Sequence, residues 1–294
     1  MVINVVDEIE IRAPRETETE QIFQVYQTGL PNVDRISYEE FLNWWDRSQA
    51  NGASNSLWRV AAVNDEIVGV AINFALERLH WGAIWELAVA PEWRNKGIGQ
   101  ALVQESQKLI LTTNPNLSHF ALGVKTHNLR ALPFYERLGY RIRSLVIDLK
   151  GPSRFSESGE CSLEPARESH IPHLLRLKPD CWWSHRDEAD WKRVIQAPEA
   201  YVVRIGKKKG IIGFLRFEAD FEFKDSTVVS FSYLDEYGLD VIQSASNHAA
   251  AGNLTFWVQD SHEEILEYLY DHSFERIGSE YVLVQKTAMH ISKS

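Results

Sequence analysis

Cysteine is scarce: Cys161 and Cys181 are the only two in 294 residues, and none lies before residue 161. That excludes a disulfide framework and denies the first half any cysteine nucleophile. A lone pair in such a chain is expected to be reduced rather than bridged. Long apolar runs are missing too. No stretch approaches the ~18 consecutive apolar residues of a membrane span. Residues 1–8 meet acid almost at once and lack the basic n-region of a secretory signal. The expectation is a cytoplasmic protein with no membrane partner. Positive charge is in deficit, 31 Lys and Arg against 41 Asp and Glu, for a formal net charge of −10. Such a chain repels phosphate backbones, so nucleic acid is not an expected partner. The longest basic run, Lys207-Lys208-Lys209, reads as a solvated hairpin turn.

What is present is an ordinary globular mixture, 44% apolar and 24% charged, in a length that suits two domains. In the first half, residues 9–12 read as a strand and 22–30 as an amphipathic helix. Ser37 with Glu40 three residues on is a capping box for a second helix, through about residue 48. Strands follow at 57–63, 67–76 and 82–90, the last apolar on both faces and therefore central. Pro91 stops that strand. A helix over 97–111, a strand over 120–124, a helix over 129–138 and a strand over 140–149 complete the order β-α-α-β-β-β-α-β-α-β.

Residues 151–159 are rich in turn formers and mark the expected boundary between domains 1–150 and 151–294. The second half repeats the first. Leu163 to Glu168 echoes Ile11 to Glu16, and Gly213 stands in a hairpin where Gly69 stands earlier. Val258 and Phe274 have the spacing of Val124 and Tyr140. One fold is used twice.

The chemistry is concentrated in Trp85-Glu86-Leu87-Ala88-Val89-Ala90-Pro91-Glu92-Trp93-Arg94-Asn95-Lys96-Gly97-Ile98-Gly99-Gln100. A buried strand ends at proline, and a loop with two glycines leads straight into a helix. Glycines admit a ligand close to the backbone, and a helix start aims unpaired N–H groups at it. With Arg94 and Lys96 this reads as a diphosphate cradle in an otherwise acidic protein.

Here the sequence resembles the GNAT superfamily of N-acetyltransferases, whose acetyl-CoA loop reads Arg/Gln-x-x-Gly-x-Gly/Ala. Arg94 to Gly99 fits every position. A second block, Asn128-Leu129-Arg130-Ala131-Leu132-Pro133-Phe134-Tyr135-Glu136-Arg137-Leu138-Gly139-Tyr140, is similar to the family's Asn-x-x-Ala-x-x-x-Tyr-x-x-x-Gly-Phe/Tyr. The resemblance is strong over about residues 80–145 and fainter beyond. It implies an α/β (α+β mixed sheet) fold, as two tandem GNAT-like acyl-CoA N-acyltransferase domains, and acetyl-CoA as co-substrate. By the same resemblance, backbone groups of Leu87 and Val89 pair with the pantetheine arm. Backbone N–H groups of Arg94, Asn95, Lys96, Gly97, Ile98, Gly99 and Gln100 hold the diphosphate. Asn128 contacts the CoA arm, and Tyr135 sits near its sulfur.

Aminolysis of a thioester needs a neutral amine, an anchored carbonyl and a proton for the leaving thiolate. Tyr135 suits the last role, and an N–H near Val89 suits the second. Glu86 is read either as the general base, directly or through water, or as a structural carboxylate. Many family members carry their acid one residue earlier, where this chain has Trp85, and one step along a strand turns a side chain to the other face. Tyr135 also reads as a core tyrosine, and Asn128 as a helix cap. Trp44, Trp45, Trp58, Trp81 and Trp85 line either a core or an acceptor pocket. His170, His173, Cys181 and His185 lack the tight paired spacing of a metal site, so no metal is expected.

Where a second cradle should stand, the chain reads Tyr233-Leu234-Asp235-Glu236-Tyr237-Gly238-Leu239-Asp240, with no glycine pair and three acids. His262 falls opposite Asn128 and Leu269 opposite Tyr135. The second domain is therefore expected to be degenerate and without a CoA loop. The functional expectation is direct transfer of acetyl to the primary amine of an acceptor, a small molecule rather than a protein, by a monomer or homodimer. A non-catalytic acyl-CoA-binding regulator on the same fold is the alternative.

Overall fold

The computed structural model describes residues 9–30, 36–50, 57–156, 160–206, 210–220, 223–246, 248 and 252–287. The expectations for residues 1–8, for 157–159 of the connector, for Lys207 to Lys209 and for the Trp44 side chain lie outside what is described. Two compact units form. Unit 1 is Met1–Leu122, Tyr135–Arg141 and Val284–Ser294; unit 2 is Gly123–Phe134 and Ile142–Leu283.

In unit 1 the predicted order is found. β1 (Glu10–Arg12), α1 (Thr19–Gly29), α2 (Tyr38–Ala50), β2 (Arg59–Val63), β3 (Glu66–Leu76), β4 (Trp81–Val89) and α3 (Ile98–Thr113) lead to β5 (His119–Lys125) and α4 (Ala131–Arg137). β1 to β4 pair antiparallel in chain order, and β5 joins β4 in parallel. The capping box before α2 is made: the Glu40 N–H donates to Ser37 Oγ at 3.2 Å, and Glu40 Oε2 accepts from the Ser37 N–H at 2.6 Å. β2 and β3 bury both faces. Ile72 and Ala88 meet Ile22, Phe41, Trp45 and Trp58 on the side of α1 and α2. Val68 and Ala71 meet Ile98 and Leu102 of α3 on the other. Gly69 lets α3 approach, because a Cβ there would sit 2.9 Å from Leu102 Cδ1.

Unit 2 contains β6 (Arg141–Pro152, apart from its first residue), β7 (Cys161–Pro165), α5 (Ile171–Leu174), β8 (Lys178–Pro179) and α6 (Glu188–Val194). β9 (Ala200–Ile205), β10 (Ile211–Ala219), β11 (Ser226–Tyr233), α7 (Gly238–Ala245), β12 (Asn253–Gln259), α8 (Glu263–Asp271) and β13 (Glu275–Lys286) follow. The strand sequence β7-β9-β10-β11 is antiparallel and β12 joins β11 in parallel, as in unit 1. Gly213 again admits a helix, since a Cβ there would run into Val241 of α7.

The terminal strands are exchanged. β6, from the first half of the sequence, runs antiparallel to β12, with Asp148 opposite Trp257. β13, from the second half, runs antiparallel to β5. The Thr126 N–H donates to Ser279 O at 3.0 Å, and the Thr287 N–H donates to Ser118 O at 2.9 Å. The division into units therefore does not follow a cut at 150/151. Residues 142–150 are counted with unit 2 and Val284–Ser294 with unit 1. A sequence repeat reveals the order of strands but not their partners.

Candidate active site

Between β4 and α3 the chain makes a 3-10 turn at Pro91–Trp93 and then a loop. Asn95 at φ 62° and Gly97 at φ 85° are both left-handed. Alternating hand turns successive N–H groups to one side, a backbone nest for anions. Among the described residues no backbone acceptor meets the N–H groups from Asn95 through Gln100; Ala101 is the first to bond, to Gly97 O at 3.0 Å. Asn95, Lys96, Gly97 and Gln100 are exposed, and nothing lies within 4 Å of a Cβ built on Gly97. Gly97 is thus required by its φ, and the space beside it is open.

The Arg94 N–H is spent on Pro91 O at 3.3 Å, so the run of open donors starts at Asn95 rather than Arg94. The Arg94 guanidinium bonds two carbonyls: Nε donates to Val89 O at 3.1 Å and Nη2 to Gly29 O at 3.0 Å. Lys96 lays its ammonium over the Trp93 ring, 4.2 Å from the centroid.

β4 pairs β5 only at Trp81, Gly82 and Ala83. Beyond that, no strand among the described residues pairs with its far edge. The Ala90 N–H donates to Val68 O at 2.9 Å, which sets the parity of the ladder with β3. Ala88 and Ala90 therefore bond toward β3, while the backbone groups of Leu87 and Val89 point to the opened edge. Ile72 faces Glu86 and Asn73 faces Ile84, so Trp85 is an inserted, unopposed residue. This β-bulge breaks strict alternation, and Trp85 and Glu86 are not forced onto opposite faces. Trp85 is 40% exposed and lies 5.5 Å from the Phe74 ring, whereas Trp45 and Trp58 are core.

Tyr135 is buried on α4, with its ring edge-on to Tyr140 at 5.8 Å. Burial first, then Tyr140 and the Glu86 carboxyl, push its hydroxyl well above the usual tyrosine range. The two candidate catalytic groups thus sense each other. Tyr140 is fixed in turn: Gln107 Nε2 donates to its hydroxyl at 2.9 Å and to Gln285 Oε1 at 2.5 Å. Gln285 Nε2 donates to Leu138 O at 2.8 Å, so the end of the chain buttresses the end of α4. Asn128 lies in unit 2 by contacts and caps α4, its Oδ1 accepting from the Ala131 N–H at 3.2 Å. His170 is a cap as well: its Nδ1 accepts from the Arg167 N–H at 3.2 Å, as Glu18 Oε2 accepts from Arg15 at 2.7 Å in unit 1. Both cysteines are free thiols.

The corresponding place in unit 2 is built differently. Residues 90–97 separate β4 from α3, but only 234–237 separate β11 from α7, and the loop that forms the nest is missing. Gly238 takes an ordinary helical φ of −56°. β11 and β12 also part, after Val229 and Phe256. The gap is filled by the chain itself. β8 pairs with β11 at Ser232 and Tyr233. The Asp180 N–H donates to Phe231 O at 3.1 Å, and Asp180 O accepts from the Gln259 N–H at 3.1 Å. The Asp180 side chain closes the seam by accepting from the Phe231 N–H at 3.1 Å. Sequence reasoning missed this strap, the bulge and the Arg94 contacts; none has a local signature.

Unit 1 thus combines a sheet that opens along one strand edge, an N–H nest beside that edge and a buried tyrosine. Residues 19–140 match the model of the acetyltransferase (GNAT) family. An uncharacterized N-acetyltransferase of Methanocaldococcus jannaschii is 34% identical over 97 residues, covering 32% of this chain and 58% of that protein. The match thus spans less than two thirds of that relative. An N-alpha-acetyltransferase of Sulfurisphaera tokodaii is 27% identical over 149 residues, 46% of this chain and 81% of that one. A GCN5-related N-acetyltransferase from Sphaerobacter thermophilus shares the fold over 95% of both chains, with a TM-score of 0.69 at 14% identity. No helix among the described residues is long and apolar enough to cross a membrane.

Proposed function

We propose that the chain is an acetyl-CoA-dependent N-acetyltransferase whose coenzyme site lies in unit 1 and has no counterpart in unit 2. The observation that carries this is the run of unspent N–H groups from Asn95 through Gln100, next to the opened edge of β4. The nest and the helix start suit a diphosphate. Leu87 and Val89 offer an extended amide-bearing arm the hydrogen bonds a missing strand would make. The filled gap and the short β11–α7 loop support the absence of a second site.

The acceptor in this reading is a primary amine on a small molecule, seated near Glu86 with Trp85 as an exposed aromatic surface. The amine nitrogen attacks the thioester carbonyl and the C–S bond breaks. The Val89 N–H faces the charge that develops on the carbonyl oxygen. Glu86 takes the amine proton, directly or through water, and Tyr135 donates to the departing sulfur. Burial keeps Tyr135 protonated at every working pH. It also makes outright loss of its proton uphill against a thiol of pKa about 8.5. Tyr135 therefore gives its proton to sulfur only as the protonated Glu86, directly or through water, passes the amine proton on to it. With no cysteine in the first half, transfer is direct.

Calorimetric titration with acetyl-CoA tests the assignment, together with CoA release measured by a thiol reagent over a panel of amines. One equivalent bound per chain, lost in Gly97→Val, is expected. No binding overturns the proposal, two equivalents overturn the reading of unit 2, and binding without turnover of any amine leaves the regulator.

A further inference from the structure

Arg94 looks, from its charge and position, like a phosphate ligand, but its guanidinium already spans two backbone carbonyls. Nε donates to Val89 O, at the end of β4, and Nη2 to Gly29 O, at the end of α1. Gly29 is where helix and strand touch: a Cβ there would lie 2.9 Å from Ala88 Cβ and 3.0 Å from Val89 N. The last carbonyls of a helix lack intrahelical partners and carry its negative end, so a cation fits. Only a planar fork with several fixed donors can serve both oxygens at once. Val89 is also the residue whose N–H faces the opened edge.

We propose that Arg94 is a positioning residue that acts through Val89 and Gly29, not through the diphosphate. It ties the nest loop, the end of β4 and the end of α1 into one frame, so that the Val89 N–H and the nest donors keep a fixed separation along the coenzyme. This rests on the coenzyme reading above. A displacement of about 1 Å in such a frame costs far more in turnover than in affinity.

The test compares two donors, acetyl-CoA and S-acetylpantetheine, the second of which has no diphosphate. In Arg94→Gln, kcat is expected to fall about tenfold or more with both donors and by the same factor. Arg94→Lys, which keeps the charge but not the fork, falls likewise. A loss confined to acetyl-CoA, rescue by lysine, or no loss at all would overturn the proposal. So would failure of both variants to fold where the wild type is folded, because that marks a merely structural role. Should the wild type use neither donor, the proposed function falls, and the frame is judged by amide exchange at Leu30, whose N–H donates to Tyr26 O at 3.2 Å. Faster exchange in Arg94→Gln then supports it and unchanged exchange overturns it.

Discussion

Tyr135 is buried against Tyr140, and in the proposed mechanism its hydroxyl serves turnover rather than binding. Tyr135→Phe keeps the ring that packs on Tyr140 and removes only the hydroxyl. It should leave acetyl-CoA affinity unchanged by calorimetry while lowering kcat about 10²-fold. Two other groups, buried His262 and half-buried Glu280, contribute to the pH response in opposite senses. His262 Nδ1 lies 2.5 Å from the Tyr233 hydroxyl, and burial, aided by Lys178, lowers its pKa from 6.5 to about 4. Its folded pKa is below the unfolded one, so its contribution is present above pH 6.5 and lost as pH falls toward 4, about 3 kcal/mol in full. Glu280 is raised from 4.5 to about 7, chiefly by burial and further by Asp148, against Lys125. A carboxyl shifted upward costs stability as pH rises from 4.5 through 7. Between pH 7 and 4 the two oppose each other, so acidification should lower the urea midpoint of Glu280→Gln relative to the wild type and raise that of His262→Gln. Glu280→Gln should stabilise at pH 8 and do little at pH 4. Among these residues the sequence singled out Tyr135 through a motif, Glu86 as a mid-strand carboxylate among apolar neighbours and His262 as the residue opposite Asn128; Glu280 carries no local signal. The bulge that frees Glu86 from simple alternation depends on β3, and no spacing within β4 reports it.

At the level of elements, pattern and structure agree because each helix and strand is decided by its own periodicity and punctuation. Ser37 with Glu40 starts α2, Pro91 stops β4, and Gly97 opens α3. What the pattern could not supply is which backbone edges stay empty. In unit 1 the edge at Leu87 and Val89 is open; in unit 2 the same edge at Phe231 is sealed by Lys178 to Asp180, residues with no feature of a strand. Asp180 is buried, and its Oδ1 also accepts from the Cys181 N–H at 2.8 Å. Asp180→Ala strands two buried donors and should cost about 2–4 kcal/mol in denaturant unfolding. It should not create a second coenzyme site, because the nest loop is still missing; calorimetric stoichiometry would check both statements in one sample.

For the molecule as a whole, the sequence suggested a like order of strands in the two halves, and the partners of β6 and β13 were not legible in it. Strand partners are long-range, and β6 and β13 fit either half equally well by pattern. Gln285 shows why the exchange matters for chemistry: from the final strand it holds Gln107 and Leu138, which steady Tyr140 beside Tyr135. Gln285→Ala should lower kcat severalfold with little change in acetyl-CoA affinity, readable from the same titrations and rate assays. Residues 1–150 and 151–294 produced separately should each remain unfolded or aggregate, each having given away the strand its sheet lacks. Mixing them during refolding should restore soluble protein, measured by gel filtration and circular dichroism.

Synthesis proceeds from the N-terminus, and Thr287 donates to Ser118 O. The unit that carries the nest therefore has to wait, on the ribosome, until residue 287 has been made before the strand beside β5 is in place. A nascent chain stalled anywhere short of residue 284 is left with an incomplete sheet beside the proposed site, and the proposed activity should be missing from it.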